Sequence, residues 1–168
     1  DWCTNFGTQL LLPFTNENYS LNNLAIVDLL FTIPMLVMVL ISVFYKKNEV
    51  RRNKFARSSL VYCFVFLGFT FINKFQAEGI VKESIQKNSI PATAHITNPT
   101  MLNNILWYSV CSNDSAIFIG EFNLWRSQNP IKWHSYARNQ HLMRQCKSKK
   151  DVAILRWFSD PYTIAQAN

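Results

Sequence analysis

The chain has 168 residues, a formal charge of +7 and 49% hydrophobic residues, a size that fits one globular domain or a small membrane unit with an appended domain. Mean hydropathy is near zero only because two very apolar stretches are averaged with a polar second half. The positive charge is also uneven, and no aromatic-basic platform or helix-turn-helix pattern accompanies it, so nucleic acid is not an expected partner.

Asp1 to Asn23 is rich in Thr, Asn, Gly and Pro around an apolar LLLPF patch at Leu10 to Phe14. It reads as irregular backbone at a membrane surface or against other helices. From Leu24 to Tyr45 the only charge is Asp28, and about 20 apolar residues suffice to cross a bilayer as a helix. Pro34 falls inside this span, where it frees one carbonyl; a neighbouring helix or Thr32 has to cover that group. Lys46 to Arg57, KKNEVRRNKFAR, holds six basic residues against one acid. As a short loop it belongs in the cytoplasm by the positive-inside rule. That topology puts Asp28 and everything after the second span on the outer face.

Ser58 to Asn73 is a second, barely sufficient span whose flanking Arg57 and Lys74 must snorkel to opposite headgroup layers. An amphipathic helical stretch continues after Asn73, with Phe75, Ile80, Val81 and Ile85 apolar, and Ser89 to Thr100 breaks it with two prolines. Ile105 to Cys111 and Ile117 to Trp125 flank the turn Ser112 to Ser115 and predict a β-hairpin; a short strand follows at Ile131 to Tyr136. The basic tail from Asn139 reads as partly helical. The expected fold is therefore membrane α-helical, with two transmembrane helices, plus a small α+β extramembrane domain. Its parts are an outer-face segment 1–23, a helical pair 24–75 with cytoplasmic loop 46–57, and an α+β domain 76–168 with its hairpin near 104–125.

Local motifs name no chemistry. The four cysteines, Cys3, Cys63, Cys111 and Cys146, lack CxxC spacing, and a disulfide among Cys3, Cys111 and Cys146 is one alternative to free thiols. His95, His134 and His141 have no metal-ligand spacing. Asp28 is weighed evenly: a carboxylate near bilayer depth points to function, whereas one at a helix start is favoured by the free amides. Lys74 snorkels or acts, and Asn73 caps a helix end or acts.

The segments TNFGTQLLLPF, Thr4 to Phe14, and NNLAIVDLLFTIP, Asn22 to Pro34, resemble a family of bacterial inner-membrane metal-dependent hydrolases named for LexA regulation. Asn73-Lys74, NPTMLNNILW (Asn98 to Trp107), GEFNLW (Gly120 to Trp125) and RWFSDPY are similar to a longer branch of that family. Phe6, Leu29 and Asn123 depart from its pattern. The resemblance implies that the chain is a fragment lacking a His-containing upstream half, inactive alone. It further implies that Asp1 is a metal ligand, that Asp28, Asn73 and Lys74 are candidate catalytic residues, and that the cofactor is a divalent metal such as zinc. The substrate class implied is a lipid or other phosphoester at the outer face of the inner membrane. A competing reading is a noncatalytic anchor or accessory subunit that contacts a protein through Trp107, Trp125 and Trp133.

Overall fold

The computed structural model describes residues 2–5, 8–9, 11, 13–15, 19–45, 48–126, 130–139, 162 and 164. The chain divides into two compact units, one made of Asp1–Ala77 with Asn98–Leu106, the other of Glu78–Thr97 with Trp107–Asn168.

The first unit is built on an antiparallel helical hairpin. Helix α1 runs over Leu29–Phe44 and is apolar apart from Thr32 and Ser42, with Pro34 inside it. It starts later than the apolar run in the sequence because Asp28 takes extended backbone and caps the helix, accepting from the amides of Leu30 and Phe31. Its 16 residues span about 24 Å, less than the roughly 30 Å hydrocarbon core. Helix α2 runs unbroken over Glu49–Lys87, 39 residues. The expected cytoplasmic loop is thus mostly helix from Glu49 onward, and Asn73 lies in the middle of α2 rather than at a helix end. Charge decides which side of a membrane a segment prefers, not its backbone; Glu49 to Arg57 holds good helix formers and neither Gly nor Pro.

The turn into α2 is tied by Asn48, whose side-chain oxygen accepts from the Arg51 amide at 3.1 Å. The two helices meet along their lengths. The Tyr45 and Phe55 rings stack at 5.8 Å, Ser42 Oγ donates to the Arg52 carbonyl at 3.1 Å, Cys63 meets Met35 at 3.5 Å, and Phe66 meets Phe31 at 5.4 Å. Pro34 cannot donate to the carbonyl four residues earlier, that of Leu30. The hydroxyl of Tyr62 on α2 donates to that carbonyl instead. The sequence placed this duty on a neighbouring helix or Thr32, and Tyr62 performs it. The outer faces of both helices expose Ile33, Leu36, Val37, Leu40, Leu60, Phe64 and Ile72.

The second unit carries most of a four-stranded antiparallel sheet in the order β1-β2-β3-β4. Its strands are β1 Ala94–Pro99, β2 Leu106–Ser112, β3 Ala116–Asn123 and β4 Lys132–Ala137. The β2–β3 hairpin and β4 match the expected positions to within one or two residues. β1 falls where two prolines implied irregular chain. It is an edge strand with Pro99 at its end, where a missing N–H breaks no interior ladder, and His95, Ile96 and Thr97 supply the β-forming residues. The hairpin turn is held by Asn113, whose side-chain oxygen accepts from the Ser115 and Ala116 amides at 2.9 and 2.7 Å.

The core of this unit is Val81, Trp107, Cys111, Ile117, Leu124 and Ile131. Gly120 pairs with Trp133 across β3 and β4. A Cβ on Gly120 would meet Ile131 Cγ2 at 2.5 Å and Trp133 Cε3 at 2.9 Å, so this strand position has to be glycine for the indole to lie over it. Trp133 Nε1 donates to Ser84 Oγ at 3.0 Å. Cys3, Cys63 and Cys111 are free thiols. The expected tail helix, Cys146 and RWFSDPY up to Pro161 lie outside the described residues.

Candidate functional site

Within the first unit, polar side chains concentrate where the chain before α1, the middle of α2 and residues 102–104 come together. Asn23, Asp28, Thr70, Asn73 and Asn104 are all buried, none more than 3% exposed. Asn23 Nδ2 donates to Thr70 Oγ1 at 2.9 Å, and Thr70 Oγ1 donates to the Leu67 carbonyl at 2.8 Å. Asn104 Nδ2 donates to the Asn23 carbonyl at 2.9 Å. Asn73 Nδ2 reaches both the carbonyl and the side-chain oxygen of Asn104, at 3.2 and 2.8 Å. These bonds join positions 31, 47 and 81 residues apart in sequence.

Asp28 borders the same loop. Its backbone forms a parallel bridge with Leu102, completed by bonds from Leu102 N to the Val27 carbonyl at 2.9 Å and from Leu29 N to the Leu102 carbonyl at 3.4 Å. Leu102 sits at φ 71° and Asn22 at φ 53°. The left-handed backbone is costly for leucine, and the surrounding bonds hold it there. Asp28 Oδ1 accepts from the Leu30 and Phe31 amides at 2.9 and 3.2 Å, which fixes the carboxylate on the positive end of α1. Its other oxygen, Oδ2, is buried with no hydrogen-bond partner, as are Asn22 Oδ1 and Asn23 Oδ1. An unsatisfied buried acceptor costs about 1 to 3 kcal/mol, more when charged. Such an oxygen is chemically available to a proton, a water or a cation.

The structure thus brings two of the expected site residues against the 102–104 loop, Asp28 at Leu102 and Asn73 at Asn104. Lys74 follows Asn73 on α2 and is half-buried. Asp1 lies outside the described residues. Asn73 does not cap a helix end; it holds Asn104. Sequence reasoning missed Asn23, Thr70 and Asn104. A usable signal was present for Thr70, a polar residue inside an apolar helix that needs a partner, whereas the two asparagines sit in polar segments where nothing marks them.

Among the described residues no three of His, Cys, Asp and Glu converge. The unpartnered oxygens at Asp28, Asn22 and Asn23 are hard donors, one carboxylate and two side-chain amides. The two amides are not among the imidazole, thiolate and carboxylate ligands that zinc usually takes. His95 is committed elsewhere, its Nε2 lying 2.9 Å from Glu78 Oε2 in the second unit. Of the aromatic surface expected there, Trp107 is fully buried and Trp133 is half-buried and bonded to Ser84, leaving Trp125 exposed. The three tryptophans therefore do not form a contact face. Packing against the core claims large indoles unless the strand alternation turns them outward.

Among the described helices, α2 is long and apolar enough to cross a membrane, and α1 is apolar but shorter. Residues 1–77 match the family model of the YdjM inner membrane protein. The matched segment contains α1, the apolar part of α2 and every residue of the polar cluster except those of the 102–104 loop. With the apolar helix, the YdjM match supports a membrane protein located in the inner membrane. No curated protein and no solved structure matches the chain.

Proposed function

We propose that this chain works in an inner-membrane hydrolase of a lipid or other phosphoester, with the cluster around Asp28 as its site. In this reading α1 and α2 both cross the bilayer, with the basic turn in the cytoplasm and the cluster toward the outer face. The second unit then lies on the periplasmic side. The basic residues between Lys46 and Arg57 support that orientation. The observation that carries the proposal is the partnerless Oδ2 of a buried, amide-anchored carboxylate. A carboxylate so held takes a proton from an attacking water as the P–O ester bond breaks and returns it to the leaving oxygen. Asn73 and Asn104 keep the loop beside Asp28 in place, and Lys74 supplies a cation for phosphate. The metal dependence implied by the resemblance, with Asp1 as a ligand, is part of the proposal, although the described donors alone do not fit zinc.

The test is Asp28→Asn introduced into the protein in its native inner membrane, with stability read after extraction in mild detergent. Asparagine caps a helix as well as aspartate does, so stability should hold. Hydrolysis of phosphatidylglycerol vesicles and of bis-p-nitrophenyl phosphate should fall about 100-fold or more. Full activity in the variant removes Asp28 from the mechanism. Metal analysis of the wild type and Asp1→Ala tests the ligand assignment, which fails if content is unchanged.

A noncatalytic anchor is the second reading. It is favoured by Asn73, a candidate catalytic residue whose side-chain nitrogen is engaged in holding Asn104. Native membranes that hydrolyse both substrates equally with and without this protein select it.

A further inference from the structure

A groove of about 830 Å³ lies along one face of α2 against α1, at the end of the helical hairpin opposite the polar cluster. Asn53, Lys54 and Arg57 line one end of it, and Val61, Val65 and Met38 line the other. Positions 54, 57, 61 and 65 recur at helical spacing and share that face. The distance from Lys54 to Val65 along the axis is about 16 Å, near the thickness of one leaflet's hydrocarbon. The neighbouring cations are already engaged: Arg51 lies over the Tyr45 ring at 5.5 Å and Arg52 stands 4.0 Å from Glu49. Lys54 and Arg57 have no acidic partner among the described residues.

We propose that this groove binds one anionic phospholipid of the cytoplasmic leaflet, its phosphate on Lys54 and Arg57 and an acyl chain along Val61, Val65 and Met38. From Asn53 onward, past Val50, the order of side chains along α2 follows that of a lipid, amide and cations first, then hydrocarbon at Val61 and Val65. Two adjacent unpaired cations favour an anion over a second copy of the chain, which would bring like charges together across a twofold axis. The cytoplasmic leaflet is where anionic lipids attract such groups. The inference rests on the proposed orientation, with the basic turn in the cytoplasm, and is independent of hydrolysis.

Native mass spectrometry of the full chain in mild detergent reads it directly, with phosphatidylglycerol, phosphatidylcholine and inorganic phosphate as probes. Phosphatidylglycerol is expected to form a one-to-one adduct, weakened about 30-fold by the double change Lys54→Gln and Arg57→Gln. That factor is the product of two cations each worth about fivefold near an anionic surface. The pair Lys82→Gln and Lys132→Gln, which makes the same charge change away from the groove, should leave the adduct unchanged. Val65→Trp, which fills the apolar end without touching charge, should also weaken it and serves if the double variant does not fold. Equal losses from both charge pairs, equal binding of phosphatidylcholine or of inorganic phosphate, or a dimer that excludes lipid each overturn the proposal.

Discussion

Tyr62→Phe isolates one hydrogen bond in an apolar setting. The change keeps the ring, and with it the contact to Phe66 at a centroid distance of 5.9 Å, and removes only the hydroxyl that serves the Leu30 carbonyl. Side-chain hydrogen bonds between membrane helices average about 0.6 kcal/mol and reach about 1.7. With both helices in the bilayer, as proposed, this one belongs at the upper end, because Pro34 has already taken away the helical donor and lipid offers no water in its place. The expected loss is therefore about 1 to 2 kcal/mol. A double-mutant cycle with Pro34→Ala identifies the cause: alanine restores an N–H for Leu30, so Tyr62→Phe should then cost less than about 0.5 kcal/mol. Reversible unfolding in mixed detergent micelles measures all four corners. Equal costs with and without Pro34 would show that the hydroxyl does not compensate the proline, and the explanation of the helix pair would fall.

Asn73→Ala removes both bonds to Asn104 and should lower stability by about 1 to 3 kcal/mol, read in the same unfolding experiment; a loss below about 0.5 kcal/mol would make the network incidental. Gly120→Ala has to displace Ile131 or the Trp133 ring, which predicts about 1 to 3 kcal/mol of destabilisation and a changed tryptophan fluorescence; an unaltered spectrum would contradict the packing. The Cys111 thiol is pushed up from 9.0 to about 11, chiefly by burial, with a hydrogen bond to Ser109 opposing and Glu78 adding. Because the folded state disfavours the thiolate, this contribution to stability is complete below pH 9 and is lost as pH rises toward about 11. Cys111→Ala should flatten that alkaline decline. Native alkylation of Cys111 at pH 8.5 should be much slower than in denaturant, and equal rates would refute its burial.

Apolar run length and strand alternation were readable from single segments. They placed both helices, the β2–β3 hairpin and β4, because each depends on neighbours within a few residues. The basic cluster from Lys46 to Arg57 was legible as charge and misleading as backbone, since the helix of Glu49–Lys87 continues through it. The N-cap role of Asp28 was one of two readings open in the sequence. That its second oxygen is left without a partner depends on atoms the chain brings in from elsewhere.

What the sequence by itself determined is where apolar surface had to be buried or given to lipid, and which side of a membrane the charge favours. The tertiary structure alone decided that Tyr62 relieves Pro34, that Asn73 holds Asn104 and Asn104 holds Asn23, and that Trp107 is buried rather than offered to a partner. Hydrophobic patterning is a property of consecutive residues, whereas a buried polar atom is satisfied or orphaned only by groups that folding brings from distant parts of the chain. The candidate site around Asp28 is made of such atoms.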